Sequence, residues 1–271
     1  SALAFELGTT RAMVSRYPDA ERALRRALAL DPHNLNAQGA LANAILYASG
    51  DIPRALATAQ GDDPRLKLNR VGLLTDQRRY REAQVLLDSV PDTPDNFAPG
   101  GAGGPKTMQQ AELYRLLGDL AHARPLYTQA LPQVRAQLVQ QQGINQAFVW
   151  QNLAEAELGL GDTTQGLDAI ARAQAIVDQS HDHTYGSELT EFDAALYARA
   201  HRPDLALPLL ARALASPGLG TYYSPVLLWL DPAWDPIRHD PGFQALEKKY
   251  AKYKPAVTNA VPPAATSVST P

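Results

Sequence analysis

The chain has 271 residues, with 25 Lys and Arg set against 28 Asp and Glu, and it contains no cysteine. A net charge of −3 asks for neither a nucleic-acid polyanion nor an anionic membrane surface as partner. Without cysteine there is no disulfide and no thiolate chemistry, and no apolar run reaches the roughly 18–20 residues of a membrane-spanning helix.

Residues 1–34 set a pattern that later stretches repeat. Leu7-Gly8 lies in one apolar run, Tyr17 marks a turn, and Ala20, Leu24 and Ala27 line a second run that Asp31-Pro32 closes. This spacing predicts two short helices in a hairpin, with small residues where the helices touch and a proline where the second cannot continue. A second unit runs from Leu35 to Gln60, with Ala37, Ala40, Leu41, Ala44, Ile45 and Tyr47 at helical spacing. Ser49-Gly50-Asp51 turns the chain, and Pro53 sits in the first turn of the next helix, where its missing N–H costs nothing. Gly61-Asp62-Asp63-Pro64 breaks the chain before a third unit. That unit carries Leu66, Leu68, Val71, Leu73 and Leu74, then Tyr80, Ala83 and Leu87, repeating the spacing of Tyr17, Ala20 and Leu24.

Residues 91–106, with Pro91, Pro94, Pro99, four glycines and Pro105, cannot hold a long helix and are expected to form an exposed flexible loop. Lys106-Thr107 after the glycines nearly spells a phosphate-binding loop. Pro105 stands where that motif needs Gly, and no strand precedes it, so an inserted loop is the better reading.

The fourth unit has Ala111, Leu113, Tyr114 and Leu117, a Gly118-Asp119 turn, and a long second helix through Tyr127, Ala130, Val134 and Leu138. In the fifth, Phe148, Trp150, Leu153, Ala154 and Leu158 lead through Gly161-Asp162 to Gly166, Ile170 and Ala173. The sixth spans Tyr185 to Ala215, with Leu189, Phe192, Ala194 and Tyr197 on one helix and Leu205, Ala206, Leu210 and Ala213 on the other. After Pro217 the run Ser224 to Arg238 departs from the pattern; Asp240 and Pro241 then cap a last helix with Phe243, Leu246 and Tyr250 on its apolar face. This end is expected to cover the last unit, and the Pro/Ala/Ser/Thr-rich residues from Pro255 onward are expected to be disordered.

A period of about 34 residues with these positions resembles the tetratricopeptide repeat. The resemblance rests on Leu7, Gly8, Tyr17, Ala20, Leu24, Ala27 and Pro32, and on Trp150 with Leu153-Ala154. It departs at Ala4, where the family often has Trp, and at Arg11, where it usually has Tyr. Residues 111–249 also resemble the C-terminal repeat arrays of bacterial signalling proteins that carry an upstream kinase, cyclase or winged-helix regulator. Ala123-Arg124-Pro125-Leu126-Tyr127, Leu205-Ala206-Leu207 and above all Leu230 through Phe243 carry that likeness. The resemblance implies an all-α, right-handed superhelix of about six hairpins with a C-terminal capping helix. Its parts are N-terminal units (1–90), the loop (91–106), C-terminal units with the cap (107–254) and a tail (255–271). The first residue is Ser and no leader follows, so a piece of a longer protein is expected.

The candidate chemistry is sparse. His181-Asp182-His183 offers two imidazoles and a carboxylate, but no further ligands converge on them and a solvated loop is expected. His239 lacks a nearby nucleophile, and Glu155 with Glu157, or Glu188 with Glu191, read as ordinary helix-face carboxylates. Trp229 and Trp234 are expected to plug the terminal unit. What remains is the concave groove lined by the first helix of each unit. Helical spacing places there Phe5, Thr9, Tyr47, Arg65, Thr75, Glu112, Arg115, Phe148, Gln151, Glu155, Glu188, Glu191 and Arg199. Glutamates outnumber arginines in the second half, which favours a basic or amphipathic protein or peptide partner. The expectation is an interaction or regulatory scaffold without catalysis, cofactor, nucleic acid or membrane insertion. The alternatives are a small-molecule sensor with a pocket between units, and a spacer that dimerises an upstream effector.

Overall fold

Six short turns organise the chain in the computed structural model, which describes residues 1–97, 104–181, 185–215 and 224–256. Each turn holds one residue in the left-handed backbone region just ahead of the next helix: Ser15, Gly50, Arg78, Gly118, Gly161 and His201, at φ 58°, 69°, 60°, 77°, 94° and 54°. The turns join α1 (Ala2–Met13) to α2 (Tyr17–Leu30), α3 (Leu35–Ser49) to α4 (Ile52–Thr58), and α5 (Pro64–Asp76) to α6 (Tyr80–Asp88). After the one-turn α7 (Pro94–Phe97), they join α8 (Lys106–Leu116) to α9 (Leu120–Gln140), α10 (Ile144–Leu160) to α11 (Thr163–Ser180), and α12 (Gly186–Arg199) to α13 (Pro203–Ala215). The short α14 (Leu227–Leu230), a 3₁₀ turn (Pro232–Ile237), α15 (Pro241–Lys249) and a final 3₁₀ turn (Ala251–Tyr253) complete the described chain. Among the described residues there is no strand, and successive hairpins pack side by side: the fold is an all-α superhelical stack of six hairpins with a capping helix.

Local chemistry fixes the helix starts. Asp51, Asp119 and Asp162 each follow the left-handed glycine of their turn and accept from the backbone N–H three residues on, of Arg54, His122 and Gln165. Such caps are each worth about 1 kcal/mol. Asp240 caps α15 by accepting from Gly242 and Phe243, and Pro241 opens it as the sequence predicts. Between paired helices the small residues are where contact is closest. Ala20, Ala27, Ala83 and Ala206 are completely buried. A Cβ on Gly8 would lie 2.6 Å from Leu24 Cγ within the first hairpin, and at the seam between successive hairpins one on Gly159 of α10 would lie 2.2 Å from Tyr127 Cε2 of α9.

Two expectations change. The ends of the 91–106 stretch are packed rather than loose, with Phe97 buried beside Leu74, Ala83 and Leu113. Lys106 Nζ donates to the carbonyls of Asp88 (3.1 Å) and Val90 (2.6 Å), so its ammonium closes off the end of α6 instead of waiting for a phosphate. Residues 98–103 lie outside the described residues. The second change is larger. The run after residue 223 covers the last unit only in part, through Trp234, Ile237 and Phe243. Leu228 also packs there, with Trp229 against it, whereas Val226, Leu227 and Leu230 join the core of the first two units, beside Ala12, Tyr17, Leu41, Ile45 and Ile52. This apolar run therefore spans from the last unit to the early ones. Pro255 packs against Gly50 at the far end of the same crossing. The rest of the expected tail, residues 257–271, lies outside the described residues.

Candidate functional site

The concave face is built from the first helices of the hairpins, and the crossing segment 224–237 lies along it. Ser224 Oγ donates to the Tyr47 carbonyl at 2.7 Å, anchoring the segment to α3. Arg78 is the second anchor. Held in the left-handed turn between α5 and α6, its guanidinium points inward and bonds the Leu230 carbonyl, the Asp76 carbonyl (3.1 Å) and Asp235 Oδ1 (2.8 Å). Within the segment Asp231 Oδ1 accepts from Ala233 N at 2.8 Å. Arg238 donates to the Leu228 carbonyl (2.7 Å) and the Asp231 carbonyl (3.2 Å), pinning the turn in one shape.

Carboxylates crowd this crossing. Burial pushes the Asp76 carboxyl well up, and the nearby Asp231 charge pushes it further against the pull of Arg78. Burial likewise raises Glu191, with Asp231 and Glu188 adding repulsion, and it raises Asp231 and Glu188 themselves. The Tyr47 phenol is held protonated by burial and by the negative charge of Asp76.

A second cluster sits between α8, α10 and α12. Glu112 takes a two-pronged contact from Arg115 (2.7 and 2.6 Å) and also accepts from Tyr127 Oη (2.9 Å) and Arg199 Nη1 (3.1 Å). Arg199 Nη2 donates to Tyr127 Oη at 3.0 Å and Nη1 stands 3.9 Å from Glu155. Burial opposes ionisation of Glu112, but Arg199, Arg115 and the Tyr127 hydroxyl outweigh it and hold its carboxyl below the ordinary range. Glu155 goes the other way. Burial, with Glu112 beside it, pushes it up to about 7 despite the two guanidiniums. One carboxyl thus stays ionised while its neighbour gains and loses a proton near neutrality. They border a cavity of about 130 Å³ closed on the other side by Phe192, Leu196, Pro232, Ala233 and Pro236, so the crossing segment forms one wall.

Of the residues assigned to the groove from sequence, Glu112, Arg115, Glu155 and Arg199 come together in this second cluster, and Tyr47, Glu188 and Glu191 face the first. The others scatter. Phe5 packs against the N-terminal core, while Thr9 and Thr75 turn back to their own helix, donating to Glu6 O (3.0 Å) and Val71 O (2.8 Å). Arg65 is exposed at the start of α5, tied to Asp63 and to Asn36 Oδ1 at 2.8 Å. Phe148 meets the Tyr185 ring edge-on at 6.0 Å. Gln151 is a correction. It is buried between α10 and α12, donating to the Leu189 carbonyl and to Asp193 Oδ1, both at 2.8 Å. Burial pushes Asp193 itself up to about 7.

Sequence reasoning missed Arg78, Tyr127, Asp76, Asp231 and Asp235. Arg78 had a signal, because it occupies the turn position that Gly50, Gly118 and Gly161 hold in other units. His181 is exposed at the end of α11, and Asp182 and His183 lie outside the described residues. Among the described residues no three metal-ligating side chains converge, and no helix is long and apolar enough to cross a membrane.

No family model matches the chain, and no curated protein matches it. Among solved structures it is similar to the crystal structure of BtubC (BKLC) from P. vanneervenii. The two are 19% identical over 74% of this chain and 88% of that one, with a TM-score of 0.39. A likeness at that score says nothing about ligand or partner.

Proposed function

We propose that the chain is a protein-interaction module, the regulatory repeat array of a larger bacterial signalling protein, whose concave groove binds a short apolar segment with a tight turn. The observation that carries this reading is the crossing segment itself. Residues 224–237 lie in the groove as a partner peptide would, with buried leucines, a carbonyl gripped by Arg78 and an Asp-Pro turn. A partner segment exchanges with this resident. The resident places Asp231 against Asp76 and Glu191, so a competitor with a neutral or basic residue there fits the acidic wall better.

Hydrogen exchange of the whole chain tests this, with peptides copying residues 224–239 that carry Asp, Asn or Lys at position 231. The Asn peptide, which drops the charge facing Asp76 and Glu191 but keeps an acceptor for the Ala233 N–H beside Arg78 and Arg238, is expected to bind most tightly and to raise exchange across 224–238. Binding without any rise there places the partner elsewhere and refutes the reading. A second reading, a small-molecule sensor, rests on the 130 Å³ cavity beside Glu155. It predicts ligand protection centred on α10 and α12 with 224–230 unchanged.

A further inference from the structure

Of the charged side chains that line the 130 Å³ cavity, Glu155 alone makes no hydrogen bond among the described residues. Arg199 Nη1 stands 3.9 Å away, beyond hydrogen-bond reach. The groups that face Glu155 are Glu112 and Arg115 on α8, Tyr127 on α9 and Arg199 on α12. The crossing segment presents only Pro232, Ala233 and Pro236 to the cavity. Glu112 alone serves both guanidiniums, taking two N–H groups of Arg115 and one of Arg199, while Tyr127 takes a second from Arg199. A guanidinium carries five N–H groups, so each arginine keeps spare donors. Burial, with Glu112 beside it, pushes the Glu155 carboxyl up to about 7; below that pH it holds its proton and can donate as well. The cluster then has two positive charges against one negative. Arg199 and Glu155 are only 12% and 16% exposed, so an unbalanced charge there is costly. An incoming ammonium adds to the positive excess, whereas an incoming carboxylate cancels it. The opposite wall, with Phe192, Leu196 and Pro236, is apolar and suits a hydrocarbon chain. An apolar protein cavity of about 150 Å³ holds benzene, so this one has room for roughly six heavy atoms.

We propose that this cavity binds a short aliphatic monocarboxylate, held by the spare N–H groups of Arg115 and Arg199 and by the Glu155 hydroxyl, with its chain against Phe192 and Leu196. The inference deepens the small-molecule reading given above and rests on it, by naming the ligand. It does not depend on the partner groove.

The test titrates butyrate, butyramide and pentylamine, each of about six heavy atoms, into the full isotope-labelled chain and follows its amide resonances. Butyrate is expected to shift α10, α12 and 232–236 while leaving 224–230 unchanged, with a Kd of about 0.1–1 mM as fits so small a ligand. Its affinity is expected to fall about tenfold from pH 6 to pH 8, as Glu155 gives up the proton it shares. Glu155→Gln keeps a donor but does not titrate, so it is expected to retain binding and flatten that dependence. Ala233→Leu fills the cavity from the crossing segment and is expected to abolish binding, an unchanged helical circular dichroism spectrum confirming the fold. Pentylamine or butyramide binding as tightly as butyrate, or tightening with pH, overturns the proposal while leaving a small-molecule site in place. So does a pH dependence that survives Glu155→Gln, or binding that survives Ala233→Leu. No shift with any of the three probes far above the expected Kd overturns the ligand and the small-molecule reading together.

Discussion

Replacing Arg78 with alanine removes the clamp between the early hairpins and the crossing segment, and its cost can be worked from the contacts. The Arg78 side chain is 9% exposed, but its partner Asp235 is 46% exposed, so that ion pair is screened and contributes about 0.5 kcal/mol. The larger loss is the Leu230 carbonyl. It belongs to a buried residue, and stripping its donor costs about 1–3 kcal/mol. Arg78 also offsets the negative charge shared by Asp76 and Asp231. Both carboxyls have folded pKa values above their unfolded ones, so the stability they lend is fully present at low pH and is lost as pH rises through the folded values. Losing the guanidinium is therefore expected to cost about 2–4 kcal/mol at pH 7 and less at pH 5, because the carboxyls it offsets take up protons as pH falls. Arg78→Gly loses the same contacts but releases the φ of 60°, and is expected to be about 1 kcal/mol less damaging than alanine. Urea unfolding of both variants at the two pH values measures this, with hydrogen exchange reporting on 224–238. An alanine variant that loses under about 0.5 kcal/mol at both pH values, with 224–238 still protected, refutes the clamp.

Gly159→Ala places a methyl into the face of Tyr127, whose hydroxyl is fixed by Glu112 and Arg199 and cannot swing aside. A loss at the upper end of the overpacking range, about 3 kcal/mol, is expected by thermal melting. Burial pushes both Glu155 and Asp193 up to about 7 in the fold, above their ordinary values, so stability is expected to fall as pH rises from about 4 to 7. Urea melts of the Glu155→Gln, Asp193→Asn double variant should show a shallower fall, the remainder belonging to the buried carboxyls of Asp76, Asp231, Glu188 and Glu191. His201→Gly frees an exposed turn residue from φ 54° and is expected to stabilise by about 0.5–1 kcal/mol, the strain relief exceeding the extra freedom of the unfolded chain.

The hairpins were legible because the residues that define them act locally. Tyr17-Ala20-Leu24 and Tyr80-Ala83-Leu87 mark the second helix of a pair from spacing alone, and Asp51, Asp119 and Asp162 mark its start. What joins distant parts was not legible. The Val226–Leu230 run reads as cover for whichever apolar surface is nearest, and nothing in its composition says that the surface belongs to the first units rather than the last. Helical projection found Glu112, Arg115, Glu155 and Arg199 because the first helices do face inward. It misplaced Gln151 because one step around α10 moves a side chain from the groove to the seam with α12, where Asp193 receives it. Tyr127 was read as packing alone, although its hydroxyl is shared between Glu112 and Arg199.

The crossing of the C-terminal segment over the concave face is tested most directly by a covalent link. A Cβ built on Gly50 lies 3.0 Å from Val226 Cγ1, which matches the roughly 3 Å between a Cβ and the far sulfur of a bridged cysteine pair. The chain has no cysteine of its own, so the reading is unambiguous. Because the same Cβ would lie 2.7 Å from Pro255 Cγ, the pair is made with Pro255→Gly; Gly50→Cys with Val226→Cys in that background, oxidised at low concentration, should give a monomer that migrates faster without reductant than with it. Two free thiols, or a bridge formed only between molecules, would contradict the closed arrangement and with it the groove as described.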